Sequence, residues 1–133
     1  MNTKYLEDIV INFVRKDRRD RLLGFLSTPK RYDDFLEALL RDDRFFDKDC
    51  IVKLRADEQN PASVHQAITR LGASGKCYVA SLDVDLDGQI LDLHKVLEKV
   101  VGTSSESLVY VPNGPAGYFE GHEGWRMILR RKN

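Results

Sequence analysis

The sequence has no surplus of either charge. Lysine plus arginine and aspartate plus glutamate both number 21, so the formal net charge is zero. Without a global field nothing draws the whole chain onto a polyanion or an anionic lipid surface, and any such contact has to be local. Long apolar runs are missing too: no stretch approaches the ~20 residues that a bilayer-spanning helix requires, and no membrane association is expected. Cysteine is scarce. Cys50 and Cys77 stand far apart, each without a close-spaced partner, which suits two buried thiols in a reducing compartment better than a disulfide scaffold. The opening segment MNTKYLEDIVINFV carries Glu7 and Asp8 inside its apolar run, and no small-residue cleavage site follows, so a secretory leader is not expected. Cytoplasmic localisation is the expectation these absences leave.

What is present is enough for a core. The chain has 133 residues, 42% apolar and 32% charged, which predicts one α+β domain over residues 1–133 with a densely charged surface. Internal repeats, low-complexity tracts and linkers are not evident. Tyr5, Leu6, Ile9, Val10, Phe13 and Val14 recur at helical spacing. The charged run Arg15-Lys-Asp-Arg-Arg-Asp-Arg21 follows, and Leu22, Leu23, Phe25 and Leu26 continue a helical stripe with or without a bend. Thr28-Pro29 offers a helix cap ahead of Tyr32, Phe35, Leu36, Leu39 and Leu40, and Asn60-Pro61 repeats that signal ahead of Val64, Ala67, Ile68 and Leu71. Residues 50–54 form a candidate short strand. Residues 76–82 read as a central strand covered on both faces, and Leu93 to Val101 as a further helix ending at Gly102. Three closely spaced strands then end the chain, at 108–111, 117–120 and 125–131. The predicted fold is a helical N-terminal region packed on a small, mostly antiparallel sheet: a strand, a crossover helix, then a three-strand meander, with the helices on one side and the other sheet face partly wet.

The segment Ser81-Leu-Asp-Val-Asp-Leu-Asp-Gly-Gln-Ile-Leu-Asp92 holds Asp83, Asp85 and Asp87 at alternate positions before Gly88. It resembles the first eight positions of an EF-hand calcium loop, where such carboxylates converge on a hard cation. Position 12 is His94, though, in place of a carboxylate, and the preceding segment reads as a strand where an EF-hand has a helix. The preferred reading is a turn, with Asp87-Gly88 as the turn signal, Val84 and Leu86 tucked inward, the aspartates in water and Asp92 capping the next helix. The three aspartates stay the candidate metal ligands.

Catalytic signatures are incomplete. His122-Glu123 starts like HExxH but has Arg126 at the fifth position, and Gly72-Ala-Ser-Gly75 meets Lys76 where a nucleophile elbow needs glycine. His122, with Glu120 nearby in a glycine-punctuated loop, is the candidate catalytic pair, and Asp87 is a third group that could join them at the strand ends. No cofactor motif is found. The run from Arg15 to Arg21 contains two aspartates and no interleaved aromatic, so it reads as a salt-bridged solvated face, and nucleic-acid binding is not expected even with the Arg130-Arg-Lys132 tail.

The resulting expectation is a non-enzymatic macromolecular-interaction domain, with a protein partner or self-association as a homodimer. Tyr118, Phe119 and Trp125 are the candidate anchors, against a plainer reading of them as sheet core. The alternatives are an enzyme with a dispersed site around His122, or a divalent-cation module at Asp83, Asp85 and Asp87. Whether the chain is an enzyme stays open.

Overall fold

A computed structural model describes residues 2–41, 43–122 and 126–131. Three helices come first: α1 (Thr3–Phe13), α2 (Lys16–Leu26) and α3 (Tyr32–Leu40). α1 follows its predicted stripe, burying Leu6, Ile9, Val10 and Phe13, and Asn2 caps it by accepting the Tyr5 N–H at 3.3 Å. The charged run does not prolong this helix. Val14 is extended and bridges Phe46, and the Arg15 N–H donates to the Phe45 carbonyl at 2.8 Å. That break starts α2 afresh, and α2 packs against both α1 and α3.

The two proline signals have different outcomes. Asn60 caps α4 (Pro61–Arg70) as expected, accepting the Ser63 N–H at 2.9 Å, and Gly72 closes the helix at φ +85°. Pro29 instead opens a single 3-10 turn, Pro29–Arg31, and Thr28 makes no side-chain cap bond. α3 therefore begins three residues later than that signal implied.

The strands are β1 (Ile51–Lys53), β2 (Lys76–Ser81), β3 (Ile90–Asp92), β4 (Ser107–Val111), β5 (Ala116–Glu120) and β6 (Arg126–Arg130), with α5 (Leu93–Val100) between β3 and β4. They form one sheet in the order β1-β6-β5-β4-β2-β3, and every neighbouring pair is antiparallel. The α+β class, the interior placement of β2 and the β4-β5-β6 meander are as predicted. β3 was not foreseen. The two outermost strands, β1 and β3, have three residues each.

The expected one-sided packing is corrected. Helices α1, α2 and α3 cover one face, where Tyr78, Tyr110, Phe119, Met127 and Leu129 are buried. α4 and α5 cover the other, over Val79, Val109, Tyr118 and Ile128. Ile128, expected on a partly wet face, is 1% exposed. The reason lies in the strands themselves: β4 turns Leu108 and Tyr110 to one side and Val109 and Val111 to the other, and all four are buried. A sheet that is apolar on both faces has to be covered on both. Among the described residues no helix is long and apolar enough to cross a membrane.

Candidate functional site

The acidic segment forms a turn joining β2 to β3. The carboxylates of Asp83 and Asp87 are used within the fold, whereas Asp85 bonds through its backbone. Asp83 Oδ1 accepts the Asp85 N–H at 2.9 Å, and the Asp83 carbonyl accepts the Leu86 and Asp87 N–H groups at 3.0 Å. Asp87 bonds in two directions, accepting the Ser81 N–H at 2.9 Å and the Tyr32 hydroxyl at 2.7 Å, which ties the turn to the start of α3. Burial, then the bond to Asp87, raises Tyr32 far above the ordinary tyrosine value. Leu86 tucks inward as expected, but Val84 is 86% exposed, because the turn aims it away from both cores. Asp92 occupies the cap position of α5 without making a cap bond, and its carboxylate pairs with Lys76 at 3.1 Å across the β2–β3 ladder. Among the described residues no group of three or more His, Cys, Asp or Glu side chains is arranged to hold a metal ion.

Glu120 lies elsewhere, on a polar rung of the sheet. Cross-strand register places Ser81 opposite Ser107, Ser107 opposite Glu120, and Glu120 opposite Arg126. The first three are buried, and the two serine hydroxyls share a hydrogen bond at 2.7 Å. Glu120 accepts the Gly102 and Ser104 N–H groups at 3.1 and 2.7 Å, the Tyr118 hydroxyl, and the Arg126 Nε–H at 3.1 Å. Arg126 in turn donates to Gln59 at 3.1 Å. This carboxylate therefore anchors the 101–106 loop, in which Ser104 and Glu106 adopt positive φ. Tyr118, buried and bonded to Glu120, is raised well above its ordinary value.

His122 is exposed, two residues beyond Glu120. Its neighbours Glu123, Gly124 and Trp125 fall outside the described residues. Asp87 and Glu120 occupy the same end of the sheet, but β4 lies between their strands, so the structure does not join their carboxylates. Tyr118 and Phe119 are fully buried, which is the sheet-core reading of that aromatic cluster. Cys50 and Cys77 are buried thiols not joined in a disulfide, and burial pushes Cys77 up to about 12.

A further concentration of charge lies between α2 and α3. α2 places Arg18, Arg21 and Phe25 on one stripe at steps of three and four, while α3 faces them with Asp34, Glu37, Ala38 and the flanking Arg41. Arg15 and Arg31 contribute from the entries to the two helices, and Arg44 and Phe45 close one end. Together these residues line a cleft of about 520 Å³. Among the described residues six guanidinium groups meet two carboxylates there, and no lysine lines the cleft.

The floor is apolar. Phe25, Ala38 and Phe45 are partly buried and pack on the core between α1–α3 and the sheet. The rings also steady the charged walls: the Arg31 guanidinium lies 4.7 Å from the Phe25 centroid, Arg21 lies 5.9 Å from it, and Arg18 lies 5.8 Å from that of Phe45. Arg15 and Arg31 are held by carboxylates. Arg15 makes a two-point contact with Asp17 at 2.6 and 3.0 Å, which favours the charged form of both, and Arg31 meets Asp34 at 2.6 Å. Arg18 reaches Asp17 only at 4.0 Å. Among the described residues Arg21 and Arg41 have no ion-pair partner. A neighbouring depression of about 690 Å³ on the far side of Arg15 is balanced, its three cations facing Asp17, Asp47 and Asp49.

The sequence signal for half of this cleft was the run from Arg15 to Arg21, read above as a solvated, salt-bridged face. Asp17 does engage Arg15, but the run also forms one wall of a basic cleft. The opposite wall comes from Arg31, Arg41 and Arg44, which reach it only when α3 packs on α2. Comparison of the chain with protein families, curated proteins and solved structures finds no match.

Proposed function

We propose that the protein is a macromolecular-interaction domain, and that the arginine cleft between α2 and α3 is where it receives an acidic segment of a protein partner. The observation that carries this reading is six guanidinium groups arrayed over a phenylalanine floor, with at least two of them lacking an ion-pair partner among the described residues. Arginine in this setting favours planar, two-point recognition of an oxyanion, which lysine cannot supply. The volume suits a few residues of an extended segment, not a folded domain. Glu37 in the wall favours a peptide over a nucleic-acid backbone: it repels a continuous row of phosphates, whereas a peptide can offer it backbone N–H donors. The zero net charge points the same way, since it gives no long-range attraction to a polyanion.

The test is fluorescence anisotropy with a labelled peptide rich in aspartate and glutamate. Arg21 and Arg41 are both exposed, so R21E/R41E should leave the fold intact while weakening binding by at least roughly tenfold. Arg70→Glu, on α4 beyond the opposite face of the sheet, is the control and should change nothing. Undiminished binding by R21E/R41E, or an equal loss in R70E, would refute the assignment.

A further inference from the structure

We infer that the group seated in this cleft is a phosphomonoester carried on a hydroxyl side chain of the partner segment. The inference rests on the reading of the cleft as a docking site and adds the chemistry of what docks. It starts from the carboxylates already present. Asp17 and Asp34 are tethered beside Arg15 and Arg31 at 2.6 Å, and a tethered group acts at a high effective concentration. At Arg15 and Arg31 an incoming carboxylate, singly charged and with two oxygens, brings nothing that these residues do not already supply. A phosphomonoester does: it carries a charge of about −1.5 to −2 near neutral pH and three acceptor oxygens.

The guanidinium groups left over match that demand. Arg21 and Arg41 have no ion-pair partner among the described residues, and Arg18 has only the 4.0 Å approach to Asp17. Ring contacts restrain two of these three in advance: Arg18 lies 5.8 Å from the Phe45 centroid and Arg21 lies 5.9 Å from that of Phe25, which leaves both with less side-chain freedom to lose on binding. The carboxylates of Asp34 and Glu37 interrupt the positive wall, so the site fits one concentrated dianion, not a string of phosphates. Arg clusters that read a phosphorylated segment in this way are a recurring recognition mode.

The experiment compares three labelled peptides against the full chain by anisotropy at fixed salt. They are identical except for one central residue, which is phosphoserine, glutamate or serine. The phosphopeptide should bind at least roughly tenfold tighter than the other two. Its affinity should also fall several-fold between about pH 7.5 and pH 5.5, as the phosphate takes up its second proton near pH 6. Among the described residues no histidine lines the cleft, so the glutamate peptide should show no matching change. R21E/R41E should abolish the preference. Equal binding of the glutamate and phosphoserine peptides would overturn the phosphate assignment and leave the docking site standing, whereas failure of all three would remove both. The inference is also overturned if a single-stranded oligonucleotide of equal charge binds more tightly than the phosphopeptide, or if inorganic phosphate at the peptide's own concentration displaces it.

Discussion

Replacing Glu120 by alanine tests how much of the fold hangs on one enclosed carboxylate. The side chain is 0% exposed and accepts from Gly102, Ser104, Tyr118 and Arg126. Alanine removes the acceptor of all four donors and leaves the Arg126 guanidinium, itself 19% exposed, with the Gln59 oxygen as its one acceptor among the described residues. Removing one member of a buried pair typically costs about 3–5 kcal/mol, because the surviving charge stays desolvated. The orphaned backbone and tyrosine donors act in the same direction, tempered by water entering the space the side chain vacates. Against a total stability on the order of 5–15 kcal/mol this is a large fraction, and the melting temperature should drop by roughly 10–20 °C. Urea unfolding followed by circular dichroism measures it. Glu120→Ala combined with Arg126→Ala should be less destabilised than the two single losses added together, since the unpaired cation is then gone. A loss below about 1 kcal/mol for Glu120→Ala would show that these hydrogen bonds are not holding the loop, and the reasoning would fail.

Two further outcomes follow from the packing. A Cβ at Gly117 would sit 2.8 Å from the Val109 carbonyl oxygen on the adjacent strand, so Gly117→Ala should destabilise the chain by about 1–3 kcal/mol in the same urea assay, whereas Gly24→Ala, exposed in α2 with nothing within 4 Å of the new methyl, should stabilise it by about 0.5–1 kcal/mol. Burial raises Tyr78, Tyr110 and Tyr118 above the ordinary value of 10.0, so the folded chain holds these protons more tightly than the unfolded one. Their contribution is intact below pH 10 and is lost as pH climbs above it, by about 1.4 kcal/mol per pH unit for each tyrosine that the fold keeps protonated. Tyrosinate absorbance should therefore rise together with loss of circular dichroism, and ionisation of these residues near pH 10 with the fold intact would contradict that.

The helices were legible because each carries its apolar residues at the spacing of a helix face: Leu6, Ile9, Val10 and Phe13 in α1, and Phe35, Leu36, Leu39 and Leu40 in α3. The meander was legible from its turn residues. Two-sided covering was missed although its sign was present, for β4 has apolar residues at both alternating sets of positions, as β2 was already read to have. β3 has only Ile90, Leu91 and Asp92, too few to display any period, and its existence depends on pairing with β2. The cleft was half legible. Arg18, Arg21 and Phe25 share a helix face by spacing alone, but nothing local brings Arg31, Arg41 and Arg44 opposite them. Glu120 was singled out for its neighbourhood in the sequence. What encloses it is register, which sets Ser107 and Arg126 beside it and lays the 101–106 loop over it.

The brevity of β1 and β3 governs how the molecule behaves when crowded. A three-residue margin gives an arriving strand only two or three amide contacts, too little grip for lateral growth of the sheet from chain to chain. Concentrated solutions should therefore resist fibril formation, and any attraction between copies would come from the exposed arginines and aspartates, which added salt weakens.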